Sequence, residues 1–276
     1  MFIRDGIIFR SDMLTSRNII NGFSTREGGV STIDYLASLN LGKGLGDDGE
    51  NVDRNREIFA RAVSSGSVGA GRTVSVHQIH SCKVITLEEK DCGTGCYGKT
   101  EQECDGMVTD IPDIMPLIRT ADCVPILFSG IKPDGSPVIG AAHAGWKGTI
   151  GRIAEKTVYA MSELGCDVKT VKVAIGAHIH DCCYTVRDDF YEKVRETMGE
   201  DFTNRHIKTL SDGLMHANLC AMNLEILGDC GIGEDKIDIS KECTACKPDV
   251  YFSHRASHGK RGVMGAGIMI TRQGAK

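Results

Sequence analysis

Three short stretches each set one soft or borderline metal ligand beside a glycine or a turn: Gln78-Ile79-His80, Ala121-Asp122-Cys123 and Ala141-Ala142-His143-Ala144-Gly145-Trp146. Two imidazoles and one thiolate make three protein ligands, and such a set leaves a tetrahedral zinc ion one open position. Water, phosphate or substrate could fill it, so the pattern points to a zinc enzyme rather than a zinc-stapled fold. Other chemistries share these residues. Cys123 beside His143 or His80 could act as a nucleophile. Two histidines and a cysteine also form the trigonal copper set, but no methionine stands in the short loop that would supply its axial ligand. A fourth, inert ligand from His77, His178 or His180 would instead favour a purely structural ion.

The stretch His143-Ala144-Gly145-Trp146-Lys147-Gly148 offers a second function. It reads as a strand delivered into the N-terminus of a long helix, where free amides and the helix dipole favour an anion. Lys147 could add a point charge there, although a solvated lysine reads equally well. Arg26, in Ser24-Thr25-Arg26, could add a bidentate fork for phosphate. Asp122 is a candidate for proton transfer, or for orienting a ligand imidazole.

Each candidate needs an element to carry it. Asn21 to Gly29 reads as a strand end running into a glycine loop. Asn51 to Val63 reads as a helix with Val52, Phe59 and Val63 on one face and Gly66 beyond its end. Val74 and Val76 alternate toward His77 and His80, and Val84, Ile85 and Leu87 continue extended. Ile114 to Ile118 and Val124 to Phe128 read as apolar strands, and Val138 to Ala142 as the strand that delivers His143. Lys132-Pro133-Asp134-Gly135 has the chemistry of a turn. Ile150 to Leu164 keeps helical spacing up to Gly165. Farther on, Val171 to Ile175 reads as a strand, and Phe190 to Val194 and Leu219 to Leu227 as helices. Val250 to Ser253 and Val263 to Ile270 read as closing strands. Helices and strands mix without strict alternation, so a layered α+β domain is expected rather than a doubly wound sheet.

Composition narrows the setting. The 276 residues carry a net charge of −5, which disfavours broad nucleic-acid binding. No apolar run approaches a membrane span, and the first residues lack the pattern of an export signal. A cytoplasmic location is therefore expected. There the twelve cysteines stay reduced, and most read as small buried hydrophobes. Cys243-Thr244-Ala245-Cys246 is a lone C-x-x-C, weak evidence for metal or redox work. The adjacent pair Cys182-Cys183 cannot easily bridge itself.

Five ordered motifs carry a resemblance. They are Gly22-Phe23-Ser24-Thr25-Arg26-Glu27-Gly28-Gly29-Val30-Ser31, Ser38-Leu39-Asn40-Leu41-Gly42, Gln78-Ile79-His80, Thr120-Ala121-Asp122-Cys123-Val124-Pro125 and Ala142-His143-Ala144-Gly145-Trp146-Lys147-Gly148. Together they resemble the laccase-domain family, once described as multicopper polyphenol oxidases and now as purine nucleoside phosphorylases. The resemblance implies a single α-β-β-α sandwich domain over residues 1–276, with zinc on His80, Cys123 and His143. It also implies phosphorolysis of adenosine, inosine and 5′-methylthioadenosine, with adenosine deamination as a second activity. The expected catalytic residues are Cys123, His80, His143 and Asp122. Expected contacts to nucleoside or phosphate are Arg26, Asn40, Arg119 and Lys147. Partners are purine nucleosides and phosphate, without nucleic acid or membrane, for a monomer or homodimer. Zinc deaminases that use a His-x-Glu signature find no counterpart here. A cysteine-nucleophile hydrolase or amidase editing peptidoglycan precursors, and a copper-dependent polyphenol oxidase, are the rival activities. The stretch Gly176-Ala177-His178-Ile179-His180 departs from the family's glycine-proline pattern, and Phe252-Ser253-His254-Arg255 from its usual Ser-Tyr-Arg-Arg; both bear on substrate preference.

Overall fold

The computed structural model describes residues 1–96 and 102–272. Its strands build two six-stranded sheets. The first runs Phe2–Asp5, Ile8–Ser11, Ile19–Ser24, Met264–Ile270, Met115–Thr120 and Thr73–Val74; the second runs Ile237–Ile239, Lys172–Ile175, Val124–Ile131, Pro137–Ala144, Gly106–Thr109 and Val84–Thr86. Both sheets are mixed: Thr73–Val74 lies parallel to Met115–Thr120, and the two edge strands of the second sheet are parallel to their neighbours. A small antiparallel sheet of Thr185–Val186, Met215–Ala217 and Ile207–Thr209 stands apart.

Alternation along the strands explains the layering. In Val124–Ile131, residues Val124, Ile126 and Phe128 pack with the helices Ile153–Glu163 and Leu219–Asp229. Leu127 points the other way, into a core shared with Phe23, Ile118 and Ile268 of the first sheet. Both faces of this strand are therefore apolar, as a strand covered on both sides requires. On the far side of the first sheet, Leu117 and Met269 meet Phe59 and Val63 of the helix Gly49–Val63. The order is helix, sheet, sheet, helices: the expected α-β-β-α sandwich.

Local chemistry sets the boundaries. Asp48 caps the first helix by accepting from the Glu50 amide, and Gly66 beyond its end has φ +85°. The strands expected at Ile114 to Ile118, Val124 to Phe128 and Val138 to Ala142 form, each slightly longer. Two expectations need correction. The helix expected as one piece from Ile150 is interrupted: a five-residue helix, Trp146–Ile150, ends before Arg152, which takes φ +60° and ψ +44°. Val250 to Ser253 is not a strand, because the Val250 and Tyr251 amides turn back to the Lys247 carbonyl. Tyr251 and Phe252 are buried in that turn all the same.

Candidate functional site

His143 arrives on the last turn-ward residues of Pro137–Ala144, a central strand that fixes its backbone through the Asp105 carbonyl at 2.7 Å. Cys123 sits between Met115–Thr120 and Val124–Ile131, in a tight turn where Asp122 takes φ +98°. His80 ends a loop and takes φ +60° itself. Left-handed backbone at non-glycine residues costs on the order of 1–3 kcal/mol and clusters at functional sites. The convergence is close. Cys123 Sγ stands 3.9 Å from His80 Nε2, the two imidazole rings are 4.8 Å apart and nearly perpendicular, and one ligand atom from each residue falls within 4.8 Å of the others. His80, Cys123 and His143 could thus hold a metal ion. His77, His178 and His180 are elsewhere: His77 faces Glu103, and His178 Nδ1 bonds the Gly176 carbonyl.

Gly145 makes the approach possible. A Cβ there would lie 2.6 Å from His80 Cδ2 and 3.3 Å from Cys123 Sγ, so no larger residue fits without moving one of these side chains. An unforeseen carboxylate organises the group. Asp105 is fully buried; its Oδ1 stands 2.8 Å from His143 Nδ1, and its oxygens also accept from the Ile79, His80 and Ser81 amides and the Ser81 hydroxyl. Holding a proton on Nδ1 leaves His143 Nε2 free to ligate. Burial raises the Asp105 pKa, but the bonds from His143 and Ser81 outweigh it and hold the carboxyl below its usual value. The only sequence signal for Asp105 is an acid flush against an apolar strand, Gly106–Thr109.

Burial likewise pushes the Cys123 thiol up, and the neighbouring His143 and His80 more than reverse this, bringing it down to about 6. His143 is raised to about 9: burial opposes its charge, and Cys123 and Asp105 overcome that opposition. In the absence of a metal, the geometry stabilises a thiolate–imidazolium pair.

The three residues line a cavity of about 580 Å³. Arg119 reaches it, with Nε buried and unpartnered and one amino group on the Val76 carbonyl; burial and Arg56 draw its pKa down to about 10. Arg261, a residue not foreseen, also lines it with a buried, unpartnered Nε. Trp146 and Tyr184 supply aromatic wall, and Arg255 lies over the Tyr184 ring. The remaining expected contacts lie off this cavity. Arg26 bonds the carbonyls of Ala37, Pro248 and Asp34 beside a neighbouring cavity of about 300 Å³. Asn40 is buried and bonds Gly42, Asp47 and the Val263 amide. Lys147 stands over the Trp146 ring, and the helix it opens has only five residues. Asp122 borders the cavity, but Thr244 Oγ1 donates to one of its oxygens and the Arg255 amide to the other. Those two bonds fix the Asp122 carboxylate in place, and the orienting of an imidazole falls to Asp105 instead.

A sandwich of two mixed sheets with a His-Cys-His group over one end places the chain in a known class. It belongs to the family described as multi-copper polyphenol oxidoreductase laccase, whose family model matches residues 20–271. Among its curated relatives, "Purine nucleoside phosphorylase YlmD" of Geobacillus stearothermophilus is 32% identical over 89% of this chain and 88% of its own. "Purine nucleoside phosphorylase" of Deinococcus radiodurans is 34% identical over 92% and 90%. "Adenosine deaminase RL5", from an unknown prokaryotic organism, is 29% identical over 88% and 91%. The crystal structure of YlmD from G. stearothermophilus superposes with a TM-score of 0.85 at 29% identity, covering 98% of this chain and 99% of that one.

Proposed function

We propose that this chain, acting as one domain over residues 1–276, is a cytoplasmic zinc-dependent purine nucleoside phosphorylase. The substrates proposed are adenosine, inosine and 5′-methylthioadenosine, with adenosine deamination as a second activity. The observation that carries the reading is the His80–Cys123–His143 group at a cavity that also offers unpartnered arginine nitrogens and aromatic walls. The donor set fits zinc, because two imidazoles and a thiolate match its borderline softness and leave one position open. His80 Nε2, Cys123 Sγ and His143 Nε2 would hold the ion. When bound, zinc in such a site supplies a Lewis acid and acidifies its water.

The chain's own residues do the rest. Asp105 keeps His143 in one tautomer and one orientation, and its bonds to three successive amides fix the His80 loop. Arg119 and Arg261 hold orthophosphate by charge and by their unused N–H groups, in place of the Arg26, Asn40 and Lys147 contacts expected from the sequence. Trp146 and Tyr184 present ring faces to a purine. Phosphate so placed would attack C1′ of the ribose: the C1′–O bond forms as the glycosidic C1′–N bond breaks, and the departing base takes up the proton that hydrogen phosphate gives up, leaving ribose 1-phosphate and the neutral base. Relatives named as phosphorylases support this reading, and one named adenosine deaminase supports the second activity.

The test is purified protein with measured metal content, incubated with adenosine or inosine with and without phosphate. Free base and ribose 1-phosphate appearing only with phosphate, and lost in Cys123→Ala, is the expected outcome. Base release unchanged by that substitution sinks the proposal. One observation favours a second reading: the low pKa of Cys123 beside two histidines is also that of a cysteine nucleophile. Inactivation by alkylation but not by chelation would select it.

A further inference from the structure

Four cysteines from two segments remote in sequence come together. Cys182 Sγ lies 3.7 Å from Cys183 Sγ, 3.9 Å from Cys243 Sγ and 3.6 Å from Cys246 Sγ. Cys183 and Cys246 are 3.4 Å apart, and all four sulfurs lie within 4.8 Å of one another. Four sulfurs at zinc–thiolate distance, about 2.3 Å from a common centre, stand about 3.8 Å apart at the corners of a tetrahedron. The observed spacings scatter around that value. A disulfide would need about 2.05 Å, and all four are free thiols.

We propose that Cys182, Cys183, Cys243 and Cys246 form a second metal site that holds one structural zinc ion. The donor set is four soft sulfurs with no position left open, which suits zinc and makes the ion a staple rather than a reagent. The local backbone has the matching form. Cys243 and Cys246 are a C-x-x-C pair, and the His180 amide donates to Cys243 Sγ at 3.4 Å. His178 bridges to Cys243 in parallel register, which brings the two segments side by side.

The location gives the ion a task. Tyr184 follows Cys183 directly, and Ile179 precedes the pair; both line the cavity. The Ile179 amide bonds the Asp122 carbonyl, Thr244 between the paired cysteines bonds the Asp122 carboxylate, and Arg255 bonds the Cys183 carbonyl. Clamping 182–183 to 243–246 therefore fixes the backbone that carries the aromatic wall and holds the turn beside Cys123. This site does not depend on the reaction proposed above.

The test measures metal per chain in full-length protein purified under reducing conditions. Wild type should carry two equivalents of zinc, Cys123→Ser one, and Cys182→Ser/Cys246→Ser one. Cobalt(II) loaded into metal-free Cys123→Ser should give the intense sulfur-to-metal absorption of a four-thiolate tetrahedral site, and the double variant should lose it. Should the double variant fail to fold, Cys123→Ser still decides the matter, because it keeps all four cysteines. Zinc-free Cys123→Ser without that cobalt absorption overturns the proposal. So does a disulfide among the four in the mass of alkylated, unreduced protein, or iron as the bound metal.

Discussion

Asp105 and His143 set the terms at the scale of single residues. Removing the carboxylate that holds a ligand imidazole generally weakens metal affinity about 10–100-fold. Asp105→Asn should show a loss of that size in competition with a chromophoric chelator, because its amide cannot accept from His143 and three amides at once. Unchanged affinity would mean that the 2.8 Å contact does not orient the ring. The pair Cys123–His143 gives a pH signature in metal-free protein. Cys123 is depressed to about 6, so its contribution is lost as pH falls through that value; His143 is raised to about 9, so its contribution is lost as pH rises through that one. Between them the thiolate–imidazolium pair stabilises the fold. Iodoacetamide should accordingly label Cys123 in chelated protein with a midpoint near pH 6 rather than the ~8.5 of an ordinary thiol, and reloading zinc should abolish labelling. The three candidate ligands were legible in the sequence because each sits beside a glycine or turn. Asp105 was not, since its significance lies in facing a residue on another strand.

Elements bring these residues within reach, and their junctions are where substitutions should matter most. Gly145 joins Pro137–Ala144 to the short helix Trp146–Ile150. Gly145→Ala drives a methyl to 2.6 Å from His80 Cδ2, and should lower metal occupancy and cut kcat/KM at least tenfold while leaving the far-ultraviolet dichroism as it was. Full metal occupancy in that variant would count against the geometry. The arginines separate by the loops they serve. Arg261→Ala should raise the KM for phosphate about tenfold, the loss of roughly 1.4 kcal/mol. Arg26→Ala should leave that KM alone and lower the melting temperature, because its guanidinium joins the carbonyls of three segments. A phosphate effect from Arg26 and none from Arg261 would reverse the assignment. Propensity and turn chemistry announced most of the central strands. They missed the break at Arg152, which takes a left-handed backbone and pairs its side chain with Glu155 and Asp229, the second of them remote in sequence.

Across the whole molecule, the site depends on two sheets sharing one core. Phe128, fully buried in the middle of the second sheet, packs against the outer helices. Phe128→Ala should cost about 3–5 kcal/mol in urea unfolding, a large part of the ~5–15 kcal/mol that holds a typical domain. The protein that remains folded should keep the zinc proposed at His80, Cys123 and His143, since the lost side chain lies on the face away from the first sheet; metal loss in step with folding loss alone is the expected result. The alternating and doubly apolar strands, the glycine-flanked ligands and the family motifs were all written along the chain, because short-range patterning and backbone chemistry are local properties. Which charged groups face the cavity was not. Arg261 and Tyr184 enter it while Arg26, Asn40 and Lys147 turn to other partners, and Cys182 and Cys183 meet Cys243 and Cys246, because those outcomes depend on packing between segments far apart in sequence. Residue type and spacing determined which atoms could bind a metal or an anion; only the tertiary fold, by fixing distances between strands and loops, decided which of them stand close enough to do so.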